Sequence, residues 1–169
     1  MTENRFLPQI SKQALDEALR DPIDFYDLLV EPLHEELYKR QSFDFLDDLS
    51  EGQQLLLSYD YVRNQVRQGG FIQLIQNGYI PLLPAMPETL LAMRAPEMAK
   101  LIDDVLRVYV LNHEALGADT TPEQFAKLYD EFKEFEALDE RFTELDEDTI
   151  TAIVHYAKDH LEEFINLTQ

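Results

Sequence analysis

The carboxylates and the four histidines are the first side chains of this chain to consider for chemistry, and the sequence contains no cysteine. Disulfides, thiolate metal sites and cysteine nucleophiles are therefore excluded. The run from His34 to Tyr38 (HEELY) begins like the helix of zinc proteases, but Tyr38 replaces the second histidine ligand. Glu31 and His34 have the Glu-x-x-His spacing of di-iron bundles, which need that spacing on two helices, and it occurs once here.

The other polar motifs also lack a group that a reaction would need. His155 and His160 are five residues apart and point to different faces of one helix. Gly69-Gly70 lacks the Lys-Ser/Thr of a phosphate-binding loop, and the acidic run Asp146–Asp148 lacks the glycine and the spaced ligands of an EF-hand. No serine stands in a nucleophile elbow. We expect no catalytic residue, no metal site and no cofactor, so the protein is not predicted to be an enzyme.

The carboxylates are the strongest chemical feature, with 34 acidic against 14 basic residues and a formal net charge of −20. Residues 123–148 contain eleven acids and three bases, and residues 31–51 contain seven acids and two bases. Residues 52–102, between them, contain three acids and four bases. Because like charges on a folded surface repel one another, this clustering indicates a surface that binds a basic partner. Ordinary solubility of an acidic protein is the alternative explanation.

The spacing of the acids in the second cluster allows a comparison with nucleic acid. A helix is expected from Glu123, with its acids outside an apolar stripe and with further acids, from Asp139 to Asp148, beyond the helix end. Helical carboxylates three or four residues apart lie about 5–6 Å from each other, and B-DNA presents one phosphate charge per strand about every 3.4 Å along its axis. The spacings are comparable but not matched. Carboxylates on adjacent helices could imitate phosphates, or they could form a merely solvated face.

The length and composition predict one domain, residues 1–169, because such a chain can bury a single core and no linker or low-complexity tract divides it. The apolar fraction of 45% is that of a globular protein. Met1–Ser11 has no apolar run long enough for a signal peptide, and no stretch is long enough for a transmembrane helix. We therefore expect a cytoplasmic protein that does not bind membranes.

Helical spacing of apolar residues dominates the sequence, and no alternating run predicts a strand. A first helix is expected from Ser11, and a second from an Asp21 cap with Pro22 in its first position. Glu31–Pro32 should interrupt the second helix, and Pro32 should open a third. The predicted fold class is all-α, a single compact multi-helix domain.

Capping signals place the helices in the middle of the chain. Ser50 and Gln53 have the form of a capping box at the start of a long helix, which Gly69-Gly70 should end. A short helix should follow as far as Asn77-Gly78. Prolines then divide the chain into turns and one helix near Glu88–Met93.

Three helices are expected in the last part of the chain. Pro96 opens a long helix that should end near Gly117. Thr121-Pro122-Glu123-Gln124 is a second capping box, and it precedes the apolar stripe of the acidic helix. The last helix is expected from Asp148 to Leu167. The apolar stripe consists of Phe125, Leu128, Tyr129, Phe132 and Phe135.

Three passages resemble a known family. Ser50–Tyr61 (SEGQQLLLSYDY) and Asn64–Gly78 (NQVRQGGFIQLIQNG) resemble the core signature of a bacterial domain-of-unknown-function family, the DNA-mimic protein family of the neisserial nineteen-kilodalton type. Glu136–Phe142 (EALDERF) is similar to a short Leu-Asp-x-x-Phe segment of the same family. The resemblance covers roughly residues 50–145, and Gln68 stands where the family more often has asparagine.

The resemblance implies an all-α homodimer whose surface imitates duplex DNA. It also implies a partner, because a member of the family occupies the DNA-binding face of a helix-turn-helix transcription factor and relieves repression. The expected partner is thus a basic DNA-binding protein, with no direct contact to nucleic acid. The alternative is an acidic interaction or immunity module that binds a basic protein without copying DNA.

The predicted contact surface combines acids from both clusters. Its members are Asp44, Asp47, Asp48, Asp130, Glu131, Glu134, Asp139, Glu140, Glu144, Asp146, Glu147 and Asp148.

Overall fold

A computed structural model describes residues 6–116 and 121–169 of the chain. The all-α prediction is confirmed, apart from two three-residue strands that the sequence did not indicate. The strands are β1 (Gln9–Ser11) and β2 (Asn166–Thr168). The α-helices are α1 (Lys12–Ala18), α2 (Pro22–Arg40), α3 (Glu51–Gln76), α4 (Met86–Ala92), α5 (Pro96–Leu116), α6 (Pro122–Glu131), α7 (Glu134–Asp159) and α8 (Leu161–Phe164). Short 3-10 helices cover Phe43–Asp48 and Ile80–Leu82.

Residue contacts divide the chain into two compact units. The first unit consists of the chain up to Leu57 together with Asp148–Gln169, and the second consists of Ser58–Glu147. Both boundaries fall inside helices, α3 and α7. Among the described residues, every helix is too short or too polar to cross a bilayer.

The two short strands of the first unit, β1 and β2, pair in parallel. Gln9 is in register with Asn166, and Ser11 with Thr168. Ser11 also caps α1, because its hydroxyl accepts a hydrogen bond from the Ala14 N–H at 3.1 Å. The predicted Asp21 cap of α2 is confirmed, with the Asp21 carboxylate 2.8 Å from the Ile23 nitrogen. Aromatic and aliphatic side chains fill the core of this unit, among them Phe25, Tyr26, Leu29, Phe45, Leu56, Ile153 and Phe164.

Helix α2 continues through Pro32, so the predicted break between a second and a third helix was wrong. Proline removes one backbone donor and crowds the preceding turn, which usually ends a helix. Here Leu29, Val30, Leu33 and Leu37 are buried on both sides of Pro32 and form one apolar face. The packing of this face outweighs the single hydrogen bond that is lost.

The N-terminus of α3 is closed by a capping box and by a distant carboxylate. As predicted, the Gln53 N–H donates to the Ser50 hydroxyl at 3.1 Å, and the Ser50 N–H donates to the Gln53 side chain at 2.9 Å. The Glu163 carboxylate accepts from the Gly52 N–H at 2.8 Å and from the Ser50 hydroxyl at 2.9 Å. A negative charge at a helix N-terminus is favourable because free N–H groups and the helix dipole meet it there.

Helix α3 changes direction in the second unit at Gly69-Gly70, where its backbone is not helical. Gly70 has φ +77°, which glycine adopts without strain, and the predicted stop at Asn77-Gly78 is confirmed by φ +83° at Gly78. The second capping box is also confirmed, between Thr121 and Gln124. The predicted end of α5 at Gly117 lies outside the described residues.

The predicted last helix, Asp148–Leu167, was wrong in both of its bounds. Helix α7 begins at Glu134, so the acids from Asp139 to Asp148 lie inside a helix and not beyond a helix end. The reason is an apolar face that continues through the acidic run. Its buried members are Phe135, Leu138, Phe142, Ile150, Ile153, Val154 and Ala157.

Replacement of Gly52 by alanine should destabilise the protein by about 1–3 kcal/mol, because the added methyl group requires neighbours to move. Its Cβ would lie 2.1 Å from a Glu163 carboxylate oxygen and 2.8 Å from the buried ring of Phe164. Urea unfolding measures the effect. The control is a double-mutant cycle with Glu163→Ala. Because Gly52→Ala already displaces the Glu163 side chain, the double variant should lose less stability than the two single variants added together. A loss equal to that sum would contradict the explanation.

Tyr156 should make the stability of the protein depend on pH in the alkaline range. Burial, together with the 2.8 Å hydrogen bond that its hydroxyl donates to Glu163, raises the pKa of Tyr156 from 10.0 to about 12. The folded form thus keeps a proton that the unfolded chain releases, so this contribution is complete below pH 10 and is lost as the pH rises towards 12. The Tyr156→Phe variant should lose less stability over that interval than the wild type in urea unfolding, and equal losses would refute the assignment.

Candidate protein-binding surface

Exposed acids of α7 in the second unit form a line that we call the outer row, consisting of Glu136, Glu140, Glu144 and Glu147. Their spacings of four, four and three residues keep them within about 80° of arc at 3.6 residues per turn. The same geometry gives the row a length of about 16 Å, with neighbouring residues separated by about 4.5–6 Å along the axis. All four side chains are exposed. The outer row is a ladder of negative charge.

Two further acids of the same helix, Asp139 and Asp146, point inward, and we call them the inner pair. They are seven residues apart, close to two helical turns, and therefore share the side of α7 that carries the buried Phe142. Asp139 accepts a hydrogen bond from the Phe71 N–H at 2.9 Å, at the point where α3 resumes after its glycine break. This carboxylate satisfies a backbone donor that the break leaves without a helical partner.

Asp146 is held by two side chains of α3. The Tyr59 hydroxyl donates to it at 2.5 Å, and the Arg63 Nε–H donates to its two oxygens at 2.9 and 3.1 Å. Tyr59 is fully buried and stacks on Phe142 with 5.7 Å between ring centroids. The Asp146 side chain keeps only 16% of its exposure. Both members of the inner pair thus stabilise the fold.

Arg141 is the basic residue inside the acidic segment of α7, and it is drawn away from the outer row. Its Nη1 lies 2.9 Å from an Asp104 oxygen on α5. Lys100 also pairs with Asp104, at 3.3 Å. Burial alone would raise the pKa of Asp104, but the hydrogen bonds from Arg141 and Lys100 outweigh burial and lower it, so this carboxylate stays charged.

The remaining acids predicted for the contact surface are divided between the two units. In the second unit, Asp130, Glu131 and Glu134 are exposed near the junction of α6 and α7. In the first unit, Asp44, Asp47 and Asp148 are exposed, whereas Asp48 pairs with Arg40. Phe125 and Tyr129 of the predicted apolar stripe have no described side chains, and Leu128 and Phe135 are buried as expected.

Glu136 is a member of the outer row that the predicted contact surface left out. The signal that could have found it is the four-residue spacing to Glu140 and Glu144, which becomes informative once α7 is known to begin at Glu134. Conversely, the number of acids per stretch of sequence did not show that the inner pair, unlike the other acids of α7, points inward. Within the described parts of the chain, no group of three or more His, Asp or Glu side chains is arranged to hold a metal ion.

An acidic all-helical fold with a ladder of carboxylates on one helix agrees with the family comparison. The model of the DMP19-like protein family matches residues 47–160, from the end of the first 3-10 helix to the start of α8. The chain therefore belongs to the DMP19-like protein family, which confirms the resemblance seen in the sequence.

One relative of established name is similar over most of the chain. The DNA mimic protein DMP19 of Neisseria meningitidis serogroup B (strain ATCC BAA-335 / MC58) is 26% identical over 132 residues. The match covers 73% of this chain and 77% of the relative. The matched family segment includes the whole outer row, the inner pair and the residues of α3 that hold the inner pair.

Replacement of Asp146 by alanine should destabilise the protein by about 2–4 kcal/mol, because it leaves Arg63 and the buried Tyr59 hydroxyl without this acceptor. Glu144→Ala is the matched control on the same helix, and its effect should stay within about 0.5 kcal/mol because the side chain is exposed. Urea unfolding of both variants provides the comparison. Equal effects of the two substitutions would show that the inner pair has no special structural role.

Proposed function

We propose that this protein is a DNA mimic that binds the DNA-binding surface of a basic DNA-binding protein and blocks its access to DNA. The partner class that we favour is a helix-turn-helix transcription factor, which would make the protein a regulator of transcription. We further propose that it acts in the cytoplasm, as a homodimer and without catalytic activity. The observation that carries the proposal is the outer row, a ladder of exposed carboxylates on the fold of a family that includes a DNA mimic protein.

The mechanism is the replacement of phosphates by carboxylates. A protein surface built for DNA presents lysine and arginine side chains to two rows of phosphates, and it binds mainly through these charges. The outer row presents charges at about 4.5–6 Å intervals along about 16 Å, so it covers the axial length of about five phosphate steps of one strand with fewer charges. Asp130, Glu131 and Glu134 add exposed negative charge in the same unit. Long-range attraction would steer the association and make it sensitive to salt.

The members of the predicted contact surface do not contribute equally to this mechanism. Asp139 and Asp146 accept hydrogen bonds within the second unit, and Asp48 is paired with Arg40. We therefore assign the contact with the partner to the outer row first and to Asp130, Glu131 and Glu134 second. The exposed acids of the first unit, Asp44, Asp47 and Asp148, remain proposed secondary contacts.

Reversal of the outer row to lysine should weaken binding of a DNA-binding partner by at least about a hundredfold, because four attractive charges become repulsive. The partner is first captured from native lysate on the immobilised protein, eluted with salt and identified. Its affinity is then measured by fluorescence anisotropy for the wild type and for the Glu136→Lys/Glu140→Lys/Glu144→Lys/Glu147→Lys variant. A matched set of exposed acids outside the surface changes the net charge equally: Asp16, Glu17, Glu88 and Glu97, each to lysine.

Two outcomes would contradict the proposal. One is equal loss of affinity in the two charge-reversed variants, which would reflect net charge alone. The other is a partner that binds duplex DNA and this protein at the same time, because a mimic must exclude DNA from the same surface. The second result would favour the acidic interaction or immunity module, which binds a basic protein without copying DNA.

A further inference from the structure

The ion pair between Arg141 and Asp104 bears directly on the charge of the outer row. Arg141 lies next to Glu140 in sequence and three residues before Glu144 on the same helix. Side chains at positions i and i+3 of a helix are neighbours, so Arg141 and Glu144 are placed to form an ion pair. In the structure the Arg141 guanidinium instead lies 2.9 Å from Asp104 on α5. In the part of the chain that the structure describes, no ion pair within 4.0 Å joins Arg141 to Glu140 or Glu144.

The surroundings of Asp104 explain why it is the preferred partner. Its side chain keeps 17% of its exposure, whereas Arg141 keeps 38%. A partly buried carboxylate attracts a cation more strongly than a carboxylate in water, because the local dielectric constant is lower. Lys100 at 3.3 Å and Arg107 at 3.9 Å also face Asp104, so this acid retains cationic neighbours if Arg141 is removed.

We propose that Asp104 is a positioning residue for the acidic surface: it holds the Arg141 guanidinium on α5 and so prevents it from neutralising Glu144 in the outer row. The proposal rests on the proposed function, because it concerns how that surface keeps its charge. Asp104 acts through Arg141 and does not itself contact the partner. Loss of Asp104 releases Arg141 to Glu144, and the outer row then presents one carboxylate fewer.

The test is a double-mutant cycle with a fluorescent oligolysine peptide as the cationic probe, measured by anisotropy at low salt. Asp104→Asn should weaken binding of the probe by about threefold, the scale of one exposed ion pair. Arg141→Gln should not weaken it, because the outer row remains intact. The Asp104→Asn/Arg141→Gln double variant should bind as tightly as Arg141→Gln. A purely structural role of Asp104 would instead leave the double variant as weak as Asp104→Asn.

The matched control is Asp103→Asn, which removes the same charge from the neighbouring exposed position on α5. Its effect on the probe should be smaller than that of Asp104→Asn, and an equal effect would overturn the proposal. Urea unfolding of all variants shows whether differences in stability follow the differences in binding. If they do, the role of Asp104 is structural.

A second measurement separates this proposal from the proposed function. In the Asp104→Asn variant the NMR chemical shift of the Glu144 carboxyl carbon should move, and the Arg141→Gln substitution should reverse the change. This readout needs no partner. If the shift moves as expected but reversal of the outer row leaves oligolysine binding unchanged, Asp104 controls Arg141 while the proposed function fails. If the carboxyl shift of Glu144 stays constant, Arg141 does not move to the row and the positioning role is rejected.

Discussion

The carboxylate of Asp146, held between the Tyr59 hydroxyl and the Arg63 guanidinium, is the interaction on which the arrangement of the second unit depends. Together with the bond from the Phe71 N–H to Asp139, it attaches α7 to α3 at two points that are two helical turns apart. Two attachments on one side of a helix fix its rotation about its own axis. The direction of the outer row follows from this rotation, because the centre of the row lies about 110° around the helix axis from the inner pair.

The acids of α7 therefore have two separate physical roles. The inner pair accepts hydrogen bonds from α3 at its glycine break and from Arg63, while the side chains of the outer row are exposed. Two nearby arginines pair with carboxylates that are largely buried: Arg63 with Asp146, and Arg141 with Asp104. Concentrated like charge is unfavourable for folding, and these internal pairs offset part of that repulsion.

The elements that the sequence predicted well are those set by local chemistry. The caps at Asp21, Ser50 and Thr121 involve side chains and backbone groups within three residues of each other, so their spacing is visible in the sequence. The stop after Asn77 is equally local. The uninterrupted course of α2 through Pro32 was not predictable in this way, because it depends on side chains that are buried against other elements.

The same distinction applies to the site. The sequence located the acidic clusters, because charge density needs no structure. It did not separate Asp139 and Asp146 from Glu140 and Glu144, since that requires the helix phase, and the phase became clear only when α7 was seen to begin at Glu134. The role of Asp104 was invisible for a further reason: its partner Arg141 lies on another helix, 37 residues away.

The discontinuous first unit has a consequence for the order of events during synthesis. Its strand β1 pairs with β2, whose residues are translated after the whole of the second unit, and Glu163, from the same later segment, accepts a hydrogen bond at the start of α3. All residues of the second unit, Ser58–Glu147, have by then been translated. The contiguous unit can thus begin to fold before the first unit is complete, because the first unit also needs the residues from Asp148 onwards.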